Sequence, residues 1–561
     1  MIMNPSHVSS SVCIETRCRS TAVVSRVAEI LRHRLEERLG VIVNSGDRAK
    51  VRVELDLQPG LGDEGFQIAG NDGQIRIVGN DGRGLLYGAG RFLRSCRFTT
   101  DGWSPGAWRG ISVPQKPVRG MYFATHFHNF YHEAPIEEVQ RYVEDIALWG
   151  VNVLNVWFDM HHYTGIADPA ARAMIERLKA VMNTARRLGL STSLVFLANE
   201  AYANSPVELR ADWTAGHDGY HHEPQGHFRV ELCPNKPGGR DLLLRWAEEK
   251  FNAFADVQPD YLWIWPYDQG GCTCSLCAPW GANGFLSLAE SIARRYRHHF
   301  PRGKVILSTW YFDHFIDGEW DGLANAFRKP PDWVDYLLAD DNGDVFPQYP
   351  LRHGAPGGLP MVNFPEISMY QSFWGGIGAN PLPAHLQSLW SSARQHLSGG
   401  FPYSEGIFED INKAVVTQFY WDENRTAAET VREYIAFEYG PDVAEEVSTA
   451  IEILEENIQH SLAERDGSWH IPMKNSARAE EAWELIQGAD RKIPDRARKA
   501  WRWRILYLRA WIDCELSRNE FRITERCEEA FQELVGIYHA ERAAFAVSPP
   551  TREAIRLQRP Y

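Results

Sequence analysis

The chain has 561 residues, more than one ordinary hydrophobic core organises, so about two to four domains are expected, and the length leaves room for a large barrel among them. Hydrophobic residues make up 44% and charged residues 24%, which excludes a mostly disordered chain, and no apolar run approaches the ~18 residues of a membrane-spanning helix. The formal net charge of −14 sets the chain against phosphate backbones, so neither nucleic acid nor membrane is expected as a partner.

The first 20 residues lack the apolar stretch of a secretory signal, and the 9 Cys are sparse and odd in number, so a reduced, cytoplasmic setting is expected. Residues 21–39 place apolar side chains at helical spacing. Three short strands follow at 51–57, 66–70 and 75–79, then the turn Asn80-Asp81-Gly82 and a helix over 84–96. These elements define a small α+β domain over 1–112, closed by a linker around Pro114 and Pro117.

From residue 119 strands and helices alternate. Apolar strands are predicted at 120–125, 151–158, 192–198, 261–267, 304–312, 334–340, 359–365 and 399–405. Amphipathic helices over 135–150, 170–189 and 285–300 lie between them, while those after the fifth and sixth strands are weakly marked. Eight strands with crossovers predict a (β/α)8 TIM barrel over 119–421, with an open doubly wound sheet as the alternative. From 422 to 561 the three- and four-residue spacing predicts a helical domain. The fold class is therefore α/β, a barrel between a small N-terminal α+β domain and C-terminal helices.

Aromatic residues reach 12%, with 20 Trp. Sugar rings stack their C–H faces on aromatic rings, so this composition suits a carbohydrate site; it equally suits a core packed with Trp. The active site of such a barrel forms at the C-terminal ends of its strands. In strand order those ends bring His126 and His128; Trp157 and Asp159; Asn199 and Glu200; Tyr267 and Asp268; Trp310 and Asp313; Asp340; Glu366 and, downstream, Trp374; and Tyr403 and Glu405. Seven of the eight ends carry a carboxylate. Any one of them is accounted for by a solvated loop or a helix cap, but the joint pattern matches glycoside hydrolysis. That chemistry needs one protonated carboxyl to donate to the leaving oxygen and a second, ionised one as nucleophile, base or support. The aromatic and polar residues named here would bind the sugar.

The segment VRVELDLQPGLGDEGFQIAGNDGQIRIVGNDGRGLLYGAGRFLRSC over 51–96 resembles the small domain preceding the barrel in family 20 hexosaminidases and family 67 α-glucuronidases. WIWPYDQGGCTCSLC over 263–277 and YSEGIFEDINKAVVTQFYWDENRTAAETVREYIAFEYG over 403–440 resemble bacterial proteins of the same broad superfamily. The resemblance implies a barrel glycosidase. Family 20 enzymes end the fourth strand in Asp-Glu, the Asp steering the acetamido group and the Glu acting as acid. This chain has Asp268-Gln269, and Gln cannot donate the proton. The resemblance to family 84, which uses Asp at that strand, makes Asp268 itself the acid, with Glu405 or Glu366 as its partner. Glu405 is preferred because it lies in the better-matching segment, while Glu366 follows Pro365 at a comparably good strand-end position.

Cys272, Cys274 and Cys277 follow Asp268 closely, and Cys233 lies on the loop before the adjacent helix. Four thiols suffice for a tetrahedral structural zinc that braces the loop; reduced packing cysteines are the alternative, and no cofactor is expected for catalysis. The adjacent pairs His161-His162 and His221-His222 would point apart on a helix, so only loop positions would let them share a metal. The Gly-rich segment 79–90 lacks the Gly-Lys-Ser/Thr ending of a phosphate loop, and its glycines suit a turn and close helix packing. No Gly-x-Ser-x-Gly elbow occurs, which disfavours a serine hydrolase. The expected activity is exo-acting hydrolysis of a small glycan or glycoside. The alternatives are an α-glucuronidase-like enzyme and a barrel that binds carbohydrate without turnover.

Overall fold

The computed structural model describes residues 12–19, 21–40, 49–99, 102–125, 129–212, 231–267, 271–314, 316–340, 345–368, 376–457, 462–542 and 548–557. His126, His128, His221, His222, Asp268, Gln269 and Trp374 lie outside the described residues.

The N-terminal unit is a five-stranded mixed sheet. Val51–Leu57 pairs in parallel with Val12–Thr16 and with Gln74–Gly79, and the hairpin partner Phe66–Asn71 runs antiparallel. Val12–Thr16 and the outer strand Gly110–Ser112 escaped the sequence pattern, because both are short edge strands with only one neighbour to pattern against. Helix Ala22–Leu39 starts on the Thr21 hydroxyl and ends at Gly40 in the left-handed region. Helix Gly82–Ser95 is capped by Asp81, whose side chain accepts the Gly84 N–H at 2.9 Å.

That second helix lies against backbone on two sides. A Cβ at Gly84 would fall 2.1 Å from the Gly65 carbonyl oxygen, and one at Gly90 would fall 2.1 Å from that of Leu148. The glycine-rich segment thus serves close packing, Gly90 bringing the N-terminal unit onto the barrel. Gly90→Ala must separate these backbones, so it is expected to destabilise the protein by roughly 1–3 kcal/mol. Denaturant titration checks this; an unchanged midpoint would show that the contact yields freely.

The barrel strands are Val118–Phe123, Val153–Trp157, Ser191–Leu197, Tyr261–Trp265, Lys304–Ser308, Tyr336–Leu338, Met361–Asn363 and Leu397–Gly400. Each pairs in parallel with the next. Gly399 pairs with Val118 to close the ring, so the fold is a (β/α)8 barrel and the open sheet is excluded. The crossovers after the fifth and sixth strands are the short helices Glu319–Ala326 and Gln348–His353, which is why their periodicity was faint.

The barrel interior is a core of its own. Tyr122, Trp157, Trp263, Trp265, Phe364 and Phe401 meet there with aliphatic partners. The Trp263 and Trp265 rings stack at 5.2 Å with 4° between their planes. Three of the 20 Trp thus fill the barrel interior, and a fourth, Trp310, packs against them.

The last barrel helix, Asp410–Trp421, is buried along its whole length. Helices Ala427–Glu438, Ala444–Glu456, Ala479–Asp490, Trp501–Arg518 and Glu525–Tyr538 follow. The region is not wholly helical. Ala463–Arg465 and Ser468–His470 form a hairpin around Asp466 and Gly467, both at positive φ, an Asp-Gly turn signal present in the sequence.

Candidate active site

The seventh and eighth strands run side by side, and their C-terminal extensions carry Glu366 and Glu405. Glu366 forms a parallel bridge with Tyr403. Glu405 is fully buried; its Oε1 accepts the Tyr403 hydroxyl at 2.7 Å and its Oε2 has no hydrogen-bond partner. Burial pushes the Glu405 carboxyl well above the ordinary carboxylate range. The negative charges of Glu366 and Glu409 act in the same direction, and the Tyr403 hydroxyl opposes them. Glu366 is 7% exposed and lines a small cavity with Asp340, Asn363 and Phe346.

A buried polar network fixes both strand ends. The Ser368 N–H donates to Glu366 at 2.6 Å, and the Ser368 hydroxyl donates to the Tyr403 carbonyl at 3.0 Å. Asn412 Nδ2 donates to the carbonyls of Ile367 and Asn380, and Asn380 Nδ2 donates to the Ser368 carbonyl. The C-terminal helices hold this loop from behind: Arg509 donates to the Ala379 carbonyl at 3.0 Å, and Gly378 N–H donates to the Tyr538 hydroxyl at 3.1 Å. Sequence reasoning did not find Ser368, Asn380 or Asn412. The only signal was that Asn412 lies within the resembling segment 403–440.

A second cluster follows the second and third strands. Glu200 accepts the Met160 N–H at 2.6 Å and faces His161 Nδ1 at 3.4 Å. His162 Nε2 lies 3.0 Å from Asp159. Both histidines are on a turn rather than a helix, and their rings lie 4.0 Å apart. Trp157 is buried against Trp265 at 6.2 Å, with its indole N–H directed at Glu200 at 3.4 Å.

Other residues expected at the sugar site have bracing positions. Asn199 is buried; its amide donates to the carbonyls of Leu232 and Gly271 and accepts the Gly271 N–H, tying the third strand end to the segment after the fourth. The Tyr267 hydroxyl donates to Glu319, whose carboxyl burial pushes up to about 7. Asp313 accepts the Glu319 N–H at 2.6 Å and so starts the helix after the fifth strand. Trp310, half-buried, packs edge-on to Trp265 at 5.5 Å. The next residue, Tyr311, and Asp313 have φ of 59° and 60°, an uncommon conformation for side chains that aims this turn at the barrel mouth. Asp340 lies beside Asn363 in the small cavity.

Among the described residues, two groups gather three or more ligand-type side chains: Asp159, His161 and His162 at the mouth, and Cys233, Cys272, Cys274 and Cys277 beside it. Larger cavities of about 340 and 390 Å³ lie where the barrel meets the N-terminal sheet and the C-terminal helices, away from the strand ends.

An eight-stranded barrel with carboxylates at its C-terminal mouth, preceded by a small mixed sheet and followed by helices, is the fold of several glycoside hydrolase families. No family model matches the chain, and no curated protein matches it in sequence. Among solved structures, a family 138 enzyme targeting pectin rhamnogalacturonan II is similar over 94% of this chain and 92% of its own, at 12% identity and a TM-score of 0.54. A family 115 4-O-methyl-α-glucuronidase with specificity for decorated arabinogalactans aligns over 94% of this chain and 76% of its own, at 11% identity and a TM-score of 0.60. The family 89 enzyme of Clostridium perfringens, in complex with GlcNAc-α-1,4-galactose, aligns at 13% identity and a TM-score of 0.61; this chain spans 64% of its length. The Vibrio harveyi family 20 exo-β-N-acetylglucosaminidase shares the fold over 76% of this chain.

Proposed function

We propose that the protein is a glycoside hydrolase, exo-acting on a small glycan or glycoside, in which Glu366 and Asp268 form the reacting pair. The observation that carries this reading is the juxtaposition of Glu366 with the fully buried Glu405 at the mouth of a barrel whose fold recurs in glycosidases. Two neighbouring carboxyls do not both ionise readily, and burial favours Glu405 as the one that keeps a proton. Glu366 borders a cavity of about 20 Å³, whereas Glu405 is fully enclosed, so Glu366 is the more accessible of the two carboxyls. In this reading Glu366 is the nucleophile, base or anionic support, and Glu405 sits behind it and sets its environment. Asp268 follows the fourth strand, which lies three places around the ring from the seventh, and in this reading it supplies the proton to the leaving oxygen. Asp159, Glu200 and His161, with Trp310 as an aromatic wall, would hold hydroxyls and a ring face.

The described residues contain no helix long and apolar enough to cross a membrane, and the nine cysteines are free, which suits a reducing compartment such as the cytoplasm.

A panel of aryl glycosides, including N-acetylhexosaminides and hexuronides, tests the proposal. Wild-type protein is expected to release the aglycone from at least one of them. Asp268→Asn is expected to lose at least about a hundredfold on a substrate with a poor leaving group, and much less where the leaving group needs no proton. Sugar binding without turnover across the panel would instead mark a carbohydrate-binding barrel.

A further inference from the structure

The four clustered thiols have no part in the chemistry above. Cys233 lies on the segment leading into helix Gly239–Ala253, and Cys272, Cys274 and Cys277 lie on the turn that follows the fourth barrel strand. Their sulfurs all lie within 4.8 Å of one another. Cys233 Sγ is 3.8 Å from Cys274 Sγ and 3.7 Å from Cys277 Sγ. A disulfide would bring two of them to ~2.05 Å, so no pair is bonded.

The spacing has a simple geometric meaning. Four sulfurs each ~2.3 Å from a central ion define a tetrahedron with edges of about 3.8 Å. Packed neutral thiols also touch near that distance, but three further features favour an ion. All four sulfurs converge on one point, whereas apolar packing has no need to gather them. Two N–H donors are aimed at the sulfurs, Asn235 Nδ2 at 3.2 Å from Cys277 Sγ and Asp212 N at 3.5 Å from Cys272 Sγ. Sulfur accepts such bonds well as a thiolate and poorly as a thiol, and donors of this kind orient metal-bound ligands. Residues 271–283 also form no helix or strand, so this segment has little backbone order of its own.

We infer that Cys233, Cys272, Cys274 and Cys277 form a closed four-thiolate site for a zinc ion. Tetrahedral all-sulfur ligation selects zinc or iron among common metals, and a site with four protein ligands leaves no position for substrate or water. The ion is therefore structural. It joins the turn after the fourth strand to the loop before helix Gly239–Ala253, alongside the Asn199 clamp on Gly271 and the Thr273 N–H bond to the Asp212 carbonyl at 2.7 Å. Gly271 is three residues from Asp268, so the site anchors the chain directly beyond the proposed acid.

The test uses the full chain purified without chelator, with metals measured by elemental analysis. About one zinc per chain is expected, by the ligand count of a single four-thiolate site. Exchange for cobalt should give intense sulfur-to-metal charge-transfer bands and tetrahedral ligand-field bands. Cys274→Ser, at the most exposed of the four positions, should lose the metal or give an altered cobalt spectrum, whereas Cys514→Ser, outside the cluster, should keep both. These readouts do not depend on glycosidase activity. Metal-free protein that, when reduced, takes up neither zinc nor cobalt would overturn the inference. So would iron in place of zinc, or metal unaffected by Cys274→Ser.

Discussion

Glu366→Gln is expected to lower kcat/KM by about a hundredfold to ten-thousandfold, the range typical of a reacting carboxylate. Glu405→Gln is expected to stay within about tenfold of wild type, since it replaces one neutral group by another of the same shape. The contrast follows from burial. Glu405 is enclosed, with its carboxyl pushed up by burial, and Glu366 borders the small cavity. Added azide should restore turnover to Glu366→Gln and yield a glycosyl azide if Glu366 is the nucleophile.

The same assignment has a stability consequence of opposite sign. The folded-state pKa of Glu405 is raised above its unfolded value, so its contribution is fully present below pH ~4.5 and declines as pH rises towards the folded pKa. Glu405→Gln removes that cost, and its thermal midpoint at pH 7.5 should exceed that of wild type. Loss of activity in Glu405→Gln with little change in Glu366→Gln would exchange the two roles. Full activity in both would remove the paired-carboxylate reading altogether.

Glu433→Gln is expected to cost about 3 kcal/mol of stability at neutral pH, the scale on which a buried ion cluster fails when one partner is lost. Glu433, on helix Ala427–Glu438, accepts from Arg91 and Arg94 of the N-terminal unit at 2.8 Å each and also pairs with Arg425. It is thus a charge that fastens the N-terminal unit to the C-terminal helices, alongside the Arg38–Glu438 pair. Burial pushes its carboxyl up, but Arg94, Arg91 and Arg425 outweigh burial and hold it at about 2. A depressed carboxylate stabilises the fold above its unfolded value near 4.5 and loses that contribution as pH falls towards 2. The shift corresponds to ~3 kcal/mol. Burial also pulls Arg94 down to about 10, still charged at neutral pH, which offsets part of the gain. Unfolding midpoints should therefore differ strongly between wild type and Glu433→Gln at pH 7, begin to approach each other below pH ~4.5 and converge only towards pH ~2. A gap that stays constant across that range would show that lost packing, not charge, causes the difference.

Several positions show where sequence patterns end. All eight barrel strands were legible because strands buried on both faces read as continuous apolar runs, whatever lies beside them. The edge strands Val12–Thr16 and Gly110–Ser112 were not, since a short strand with one neighbour carries little pattern. Trp157, Asn199 and Tyr267 were all placed at strand ends, but a position in the chain does not say which way a side chain turns. Their contacts lead to Trp265, Gly271 and Glu319 respectively.

Apolar periodicity and strand count, both local properties of the chain, thus determined the barrel, the order of its units and the ring of carboxylates at its mouth. The contrast between the surroundings of Glu366 and Glu405 appears only in the tertiary structure. It depends on the depth of each carboxyl and on the Tyr403 hydroxyl and Glu409 around Glu405. The convergence of Cys233 with a turn some 40 residues later was settled in the same way, since sulfurs far apart in the chain share one point only once the third and fourth strands lie side by side.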